Sequence, residues 1–265
     1  MPRTRLGLIC LAAVALAWRL AVLSDLRRSP LLEDAATAAE VNLVLATSWM
    51  GLAFLACGAL VLARTRNKRS AVFALYAICA AFHWGGPLHA ADEQLQQAIW
   101  MLYFLVSAML AQAAFLHFTL VFPEPWSWAS RHATRLVIYF PVALGLVAGA
   151  MAVAAAPDSS GEAWQHKFLI LESLQANLFA AAGLIILVIR CLRARPVDGP
   201  RSITGPMAIG AWLSVLPWVA AMALEAQGVA VPGGASAYTL LFVVAPLVFT
   251  WAILRHRPAV SVAEA

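Results

Sequence analysis

Apolar side chains fill this chain in long runs, which short charged or proline-containing stretches separate. A helix that crosses a bilayer needs about 20 mainly apolar residues, and eight runs approach that length. The predicted spans are Leu6–Leu23, Val41–Ala63, Ser70–Leu88, Ala98–Phe122, Leu136–Ala156, Phe168–Ile189, Pro206–Ala226 and Tyr238–Leu254. The third is the weakest, because Gly85-Gly86-Pro87 interrupts it. The pattern predicts an all-α polytopic membrane protein, a bundle of eight transmembrane helices.

The fourth run stops at Phe122-Pro123-Glu124-Pro125. Each proline lacks a backbone N–H and disfavours helix in the residue before it, so the helix is expected to end there. Trp126 and Trp128 follow, and aromatic residues are enriched where a helix leaves the bilayer. This stretch therefore predicts a helix end at the membrane interface.

Composition agrees with this class of protein. Hydrophobic residues make up 63% of the 265 residues and charged residues 12%, whereas soluble domains carry about 25% charged residues. The four cysteines (Cys10, Cys57, Cys79 and Cys191) lie in or beside apolar runs, without CxxC or Cys/His spacing. We expect neither a disulfide framework nor a zinc site.

Basic residues set the orientation, because lysine and arginine in short loops stay cytoplasmic. With the N-terminus inside, the inner segments hold fourteen lysines and arginines and the outer segments hold three. Ten acidic residues lie on the outer side or its boundary and three lie inside. The split predicts cytoplasmic N- and C-termini in a bacterial inner (plasma) membrane. The net charge of +5 is explained by this placement and anionic lipid, so no nucleic acid partner is expected.

The loops are too short for a soluble catalytic domain, so we predict one integral membrane domain over residues 1–257 and a short cytoplasmic tail over 258–265. Ala15-Leu16-Ala17 resembles a signal-peptide cleavage site, which would leave seven helices. Apolar sequence continues past Trp18 and Arg19, so we favour an uncleaved first helix.

Ionisable and polar groups inside a membrane are default candidates for function. The candidates for a signal or ligand site are His117, Gln112, His83, His89, Glu172, Glu225 and Arg19. Arg19 is expected to extend to the outer interface, with pairing to Glu40 or Glu93 as the alternative. Glu172 and Glu225, close to the outer boundary, are expected to be solvated. The alternative is that they rim an outward-facing acidic pocket with His83, His89, Asp92 and Glu93. For His117 we expect a hydrogen-bonded packing role, and a ligand or proton-relay role is the alternative.

Two prolines, Pro217 and Pro246, fall inside the last two predicted helices. Membrane helices tolerate proline where neighbouring groups satisfy the freed carbonyls, so a packing kink or a hinge is expected at each. The GxxxG pattern from Gly145 to Gly149 permits close helix approach. No hydrolase, metalloprotease or phosphate-loop motif is present in the sequence, so no catalytic residue, metal or cofactor is predicted.

Three stretches, taken together, resemble a known family. Leu116–Pro125 (LHFTLVFPEP) is similar to the "LHFxLVFP" stretch in the multi-helix N-terminal membrane region of bacterial sensor histidine kinases of the competence quorum-sensing type. Arg201–Pro217 and Ala245–Arg257 (APLVFTWAILRHR) resemble that region's penultimate and exit helices. The matching positions are His117, Phe122, Pro123, Pro217, Pro246 and Arg255.

The chain departs from the family after Arg257, where the family continues into a dimerisation helix and a kinase. The resemblance implies a stand-alone sensor-like or regulatory membrane module that passes a signal to a separate kinase, cyclase or phosphatase. A homodimer is left open. The alternatives are a small-solute or lipid carrier that uses the outer acids, and a membrane-embedded enzyme or haem protein.

Overall fold

The computed structural model describes residues 2–28, 38–84, 92–129, 131–155, 159–193, 201–232 and 237–255. Within these ranges the chain is helical and contains no β-strand, which confirms the predicted all-α class. His89 and the predicted tail, 258–265, lie outside the described residues.

The helices follow the predicted runs closely. Their bounds are α1 Pro2–Arg28, α2 Ala38–Arg64, α3 Lys68–His83, α4 Glu93–Phe104, a π-helical segment Leu105–Leu110, α5 Ala111–Val121, α6 His132–Ala154, α7 Ser159–Arg193, α8 Arg201–Ala226, a 3₁₀ segment Tyr238–Val243 and α9 Val244–Arg255. The segment from Glu93 to Val121 is one continuous rod, and Tyr238–Arg255 is another. The described residues thus form eight helical rods, one for each predicted span.

Seven of these rods are long and apolar enough to cross a membrane. They are Thr4–Ser24, Ala46–Arg64, Gln94–Val121, His132–Ala154, Ala163–Arg193, Ile203–Ala226 and Tyr238–Arg255. The exception is α3, whose 16 residues span about 24 Å at 1.5 Å each, less than the roughly 30 Å of a bilayer's hydrocarbon core. It ends at His83, just before the glycine and proline residues that were expected to stop it.

Although α3 is the shortest rod, it lies at the centre of the bundle. It packs against α1, α2, α5 and the π-helical segment. Phe73, Ala77, Ile78 and Cys79 are completely buried. Gly58 of α2 allows α2 and α3 to approach closely: a Cβ added at Gly58 would lie 3.2 Å from the side chains of Ala77 and Ile78.

The outer face of the bundle is strongly apolar. On α6, Leu136 and Val137 are each 71% exposed and Phe140 is 61% exposed. On α7, Leu174, Leu178 and Ile185 are also exposed. Such a continuous apolar surface is unusual for a soluble monomer and is what contact with lipid tails requires.

Close helix approach at the GxxxG pattern is also observed. Gly145 faces the side chain of Met109 in the π-helical segment, and a Cβ on Gly149 would lie 3.6 Å from Phe168 of α7. The two glycines therefore bring α6 against two different neighbours.

Side-chain contacts between helix ends show which ends meet. Arg5 near the start of α1 donates a hydrogen bond to the carbonyl of Leu62 at the end of α2. Arg69 at the start of α3 and Arg190 at the end of α7 both reach the end of α5. We call this the basic end. The opposite end, where Asp92 caps the start of α4 and α8 ends next to Glu225, is called the acidic end.

Replacing Gly58 with leucine should destabilise the fold, because the added atoms overlap α3. Overpacking of this kind costs about 1–3 kcal/mol. The matched control is Gly7→Leu on α1, where an added Cβ meets nothing within 4 Å. Thermal unfolding in detergent should show a lower Tm for Gly58→Leu than for Gly7→Leu. Equal Tm values would contradict the central placement of α3.

Candidate functional site

The end of α5 carries the stretch on which the sequence resemblance rests. The helix ends at Val121, and Phe122 has an extended backbone with φ −117° and ψ 142°. In a continuing helix, the N–H of residue 123 would bond to the carbonyl of Thr119. Pro123 has no N–H, so that carbonyl needs a donor from elsewhere.

Arg190, in the last turn of α7, supplies the donor. Its Nε donates to the carbonyl oxygen of Thr119 at 2.7 Å, and its Nη2 donates to that of Leu120 at 2.6 Å. Its Nη1 donates to the carbonyl oxygen of Glu124 at 2.9 Å. The guanidinium also lies 4.9 Å from the ring centroid of Trp126, a cation–π distance. One buried side chain thus satisfies three carbonyls at a helix end.

A second arginine binds the same turn from the other side. Arg69, in the first turn of α3, donates from Nη1 to the carbonyl oxygen of Pro123 at 2.7 Å. We call Arg69 and Arg190, with the carbonyls they bind, the arginine cap. The cap joins α3, α5 and α7 at the basic end.

An aromatic cluster extends from the cap into the core. Phe118 stacks on Phe122 with centroids 5.2 Å apart, and it contacts Phe73 of α3 at 5.3 Å. Phe118 also lies 5.6 Å from Phe249 of α9, which in turn stacks on Phe115. The cluster therefore connects the cap to the last helix, which ends at Arg255.

His117 lies on α5 beside the cap and is buried. Its Nδ1 is 3.0 Å from the hydroxyl oxygen of Tyr139 on α6, and the two rings meet edge to face. This contact agrees with a packing role for His117, and the ligand or proton-relay role stays a prediction. Gln112, earlier on α5, is half-buried. The two candidates therefore lie on the same helix, and no described contact joins their side chains.

The expectation that Arg19 extends to the interface is wrong. Its side chain is only 1% exposed, and Nη2 donates to the carbonyl oxygen of Phe82 near the end of α3. Its Cδ would lie 3.1 Å from a Cβ at Gly51 of α2. Close packing of three helices encloses the arginine and directs it to a helix-end carbonyl. The side chains of Glu40 and Glu93, its alternative partners, lie outside the described residues.

The other candidates at the acidic end are spread over several helices. The backbone carbonyl of His83 accepts a hydrogen bond from the hydroxyl of Tyr103 at 2.7 Å. Asp92 caps α4 by accepting from the N–H of Leu95 at 2.7 Å. Glu172 is half-buried on α7, whereas Glu225 is exposed on α8. No described contact joins these side chains into the acidic pocket that was the alternative, and the exposure of Glu225 agrees with the expected solvation.

The two prolines in the last helices have different positions. Pro217 lies in the interior of α8, and Pro246 lies in the first turn of α9, where its missing N–H costs little. Here the 3₁₀ segment gives way to α9. The hydroxyl of Ser214 accepts from the N–H of Ala245 at 2.9 Å and donates to the carbonyl of Gly210 at 2.8 Å. One buried side chain of α8 thus holds the start of α9.

Sequence reasoning missed the arginine cap and the π-helical segment. In the sequence, Arg69 and Arg190 are only two of the fourteen basic residues of the inner segments, although the missing N–H of Pro123 signals a carbonyl in need of a donor. The amide of Gln175 on α7 donates to the carbonyl of Met109 in the π-helical segment at 3.1 Å. Gln175, a polar residue amid the apolar run of α7, was the available signal for this contact.

Within the described ranges, no group of three histidine, cysteine, aspartate or glutamate side chains is arranged to hold a metal ion. Comparisons with protein-family models, with curated proteins and with solved structures find no match. Function therefore has to be argued from the arrangement of this chain's own residues.

Loss of the Arg190 side chain should destabilise the bundle, because the carbonyls of Thr119 and Glu124 lose the donor described for them, and that of Leu120 keeps only the N–H of Trp126 at 3.3 Å. Hydrogen bonds to charged groups contribute about 1.5–3 kcal/mol each and are not additive, so we expect a loss of about 3 kcal/mol for Arg190→Gln. Arg193→Gln, one turn later on the exposed end of α7, is the control. Chemical denaturation in detergent should separate the two variants. A control as unstable as Arg190→Gln would contradict the role of the cap.

Proposed function

We propose that this chain is a multi-pass membrane protein that acts as a sensor-like or regulatory module, passing a signal to a separate cytoplasmic protein. The observation that carries the proposal is the arginine cap on Leu116–Pro125, the stretch that resembles sensor-kinase membrane regions. The cap is joined through Phe118 to Phe249 of α9, and α9 leads to Arg255 at the basic end.

The proposed insertion rests on the apolar helices and on the charge split along the sequence. Contacts between helix ends gather Arg5, Arg69 and Arg190 at one end of the bundle. Such an end favours the cytoplasmic side of a bilayer. The membrane is proposed to be a bacterial inner membrane, with both termini cytoplasmic.

The proposed mechanism is a shift between two packings of the last helices. At the acidic end, Phe242 of the 3₁₀ segment lies 5.5 Å from Trp84, next to the end of α3. At the basic end, Phe249 of α9 contacts Phe73 and Phe118. Between these contacts, the N–H of Ala245 is bonded to Ser214. A signal that disturbs the Trp84 contact would alter this junction and move the Arg255 end.

The threading has a direct test. Reporter fusions at the N-terminus and after Ala265 should both give cytoplasmic signals. Although α3 is short, it runs from the basic end to the acidic end, so eight rods return the chain to the side on which it began. An intact first helix is checked by recovering the N-terminal tag on the full-length protein. Reporters on opposite sides of the membrane, with that tag retained, would contradict the proposed topology.

The output partner is tested by cross-linking in native membranes, followed by recovery of the tagged chain. We expect a kinase, cyclase or phosphatase to be recovered with the wild-type chain and with the control Arg193→Gln. Recovery should fall several-fold with Arg255→Gln, because that change removes the charge at the end of α9. Recovery of the chain alone would count against a signalling role. If Arg255→Gln left recovery of the partner unchanged, the result would count against transmission of the signal through α9.

A further inference from the structure

A cavity of about 460 Å³ lies at the basic end, between the start of α1, the turn joining α2 to α3, and the start of α6. Its lining includes four cationic side chains: Arg5, Arg66, Lys68 and Arg135. Its described lining contains no carboxylate. The cavity is of the size typical of small-molecule sites, and its cationic lining favours an anion over a cation.

The backbone of α3 adds to this positive potential. The helix starts at Lys68, and Asn67 caps it by accepting a hydrogen bond from the N–H of Arg69 at 3.0 Å. The first turn of α3 contains no acidic residue. A helix N-terminus carries a partial positive charge, and here that terminus forms part of the cavity wall. The side chain of Arg5 is held beside it by its bond to Leu62.

The rest of the lining is apolar. Leu8 and Leu62 are buried, and Ala71, Val72 and Leu75 of α3 are half-buried. These α3 residues lead from the cationic rim toward the middle of the helix. A free phosphate would use only the rim, whereas an anionic amphiphile would contact both parts.

We propose that this cavity binds an anionic phospholipid, with the phosphate at Arg66, Lys68 and their cationic neighbours and the acyl chain against the apolar residues of α3. Basic pockets between membrane helices on the cytoplasmic side bind such headgroups. The inference rests on the proposed membrane insertion, but it does not depend on the proposed signalling role.

Other arginines at the same end provide a matched comparison. Arg64 and Arg131 are exposed near the end of α2 and the start of α6, but neither lines the cavity. Arg64→Gln/Arg131→Gln therefore removes the same charge from the same end as Arg66→Gln/Lys68→Gln. If the two double variants differ in lipid binding, the cavity is responsible. If they weaken binding equally, the charge of the whole surface is responsible.

The experiment is native mass spectrometry of the detergent-solubilised protein with phosphatidylglycerol or phosphatidylcholine of identical acyl chains. The wild-type protein should retain phosphatidylglycerol preferentially. Arg66→Gln/Lys68→Gln should weaken that binding about thirtyfold, at roughly fivefold per charge. Arg64→Gln/Arg131→Gln should stay within about threefold of wild type, because neither side chain lines the cavity and salt screens charges at a distance from the bound headgroup.

Equal weakening by both double variants, or equal retention of both lipids by the wild type, would overturn the proposal. Soluble glycerol phosphate distinguishes a lipid from a free phosphate. It should displace phosphatidylglycerol only at a large excess, and displacement at equal concentration would show that the apolar lining contributes nothing. Membrane fractionation of the same variants distinguishes a failure of the proposed membrane insertion from a failure of the proposed lipid site. A protein absent from the membrane fraction contradicts insertion, and an inserted protein without lipid preference contradicts only the lipid site.

Discussion

Unsatisfied carbonyl groups at helix ends are the constraint on which this fold depends. In an apolar environment no water reaches them, so each needs a donor from the protein. The sequence creates an acute case at Pro123, which removes the N–H that the carbonyl of Thr119 would use. Arg190 fills that need from α7, and Arg69 of α3 binds the carbonyl of Pro123 itself. The same solution recurs at the acidic end, where Arg19 binds the carbonyl of Phe82.

This constraint accounts for the unusual position of α3. A helix too short to cross a bilayer alone is stable when other helices cover it and when its ends are satisfied. Asn67 caps its start, and Arg19 of α1 donates to a carbonyl of its last turn. Its small and aromatic side chains let α2 and α5 pack closely around it. Arg19, Arg69 and Arg190 thus act as hydrogen-bond donors to backbone carbonyls inside the bundle.

Much of the architecture could be predicted from the sequence, because the length of an apolar run and the position of proline are local signals. The end of α5 next to Phe122 and the end of α3 before Gly85 follow from such signals. The central position of α3 could not be predicted, since an apolar run does not encode which neighbours cover it. The same holds for Arg190. Its place at the end of a run suggested a loop charge, and only packing shows the carbonyls it meets. The π-helical segment has no local signature of this kind.

That π-helical segment, Leu105–Leu110, has a consequence for how the fourth rod can change in length. A π-helical turn holds more residues than an α-helical turn, so it accommodates a surplus residue without rotating the helix beyond it. Contacts on both sides of the segment are therefore present together: Tyr103 of α4 bonds to His83, and Phe118 of α5 contacts Phe73. Shortening the rod by one residue inside this segment would restore regular α-helix and leave both ends in register.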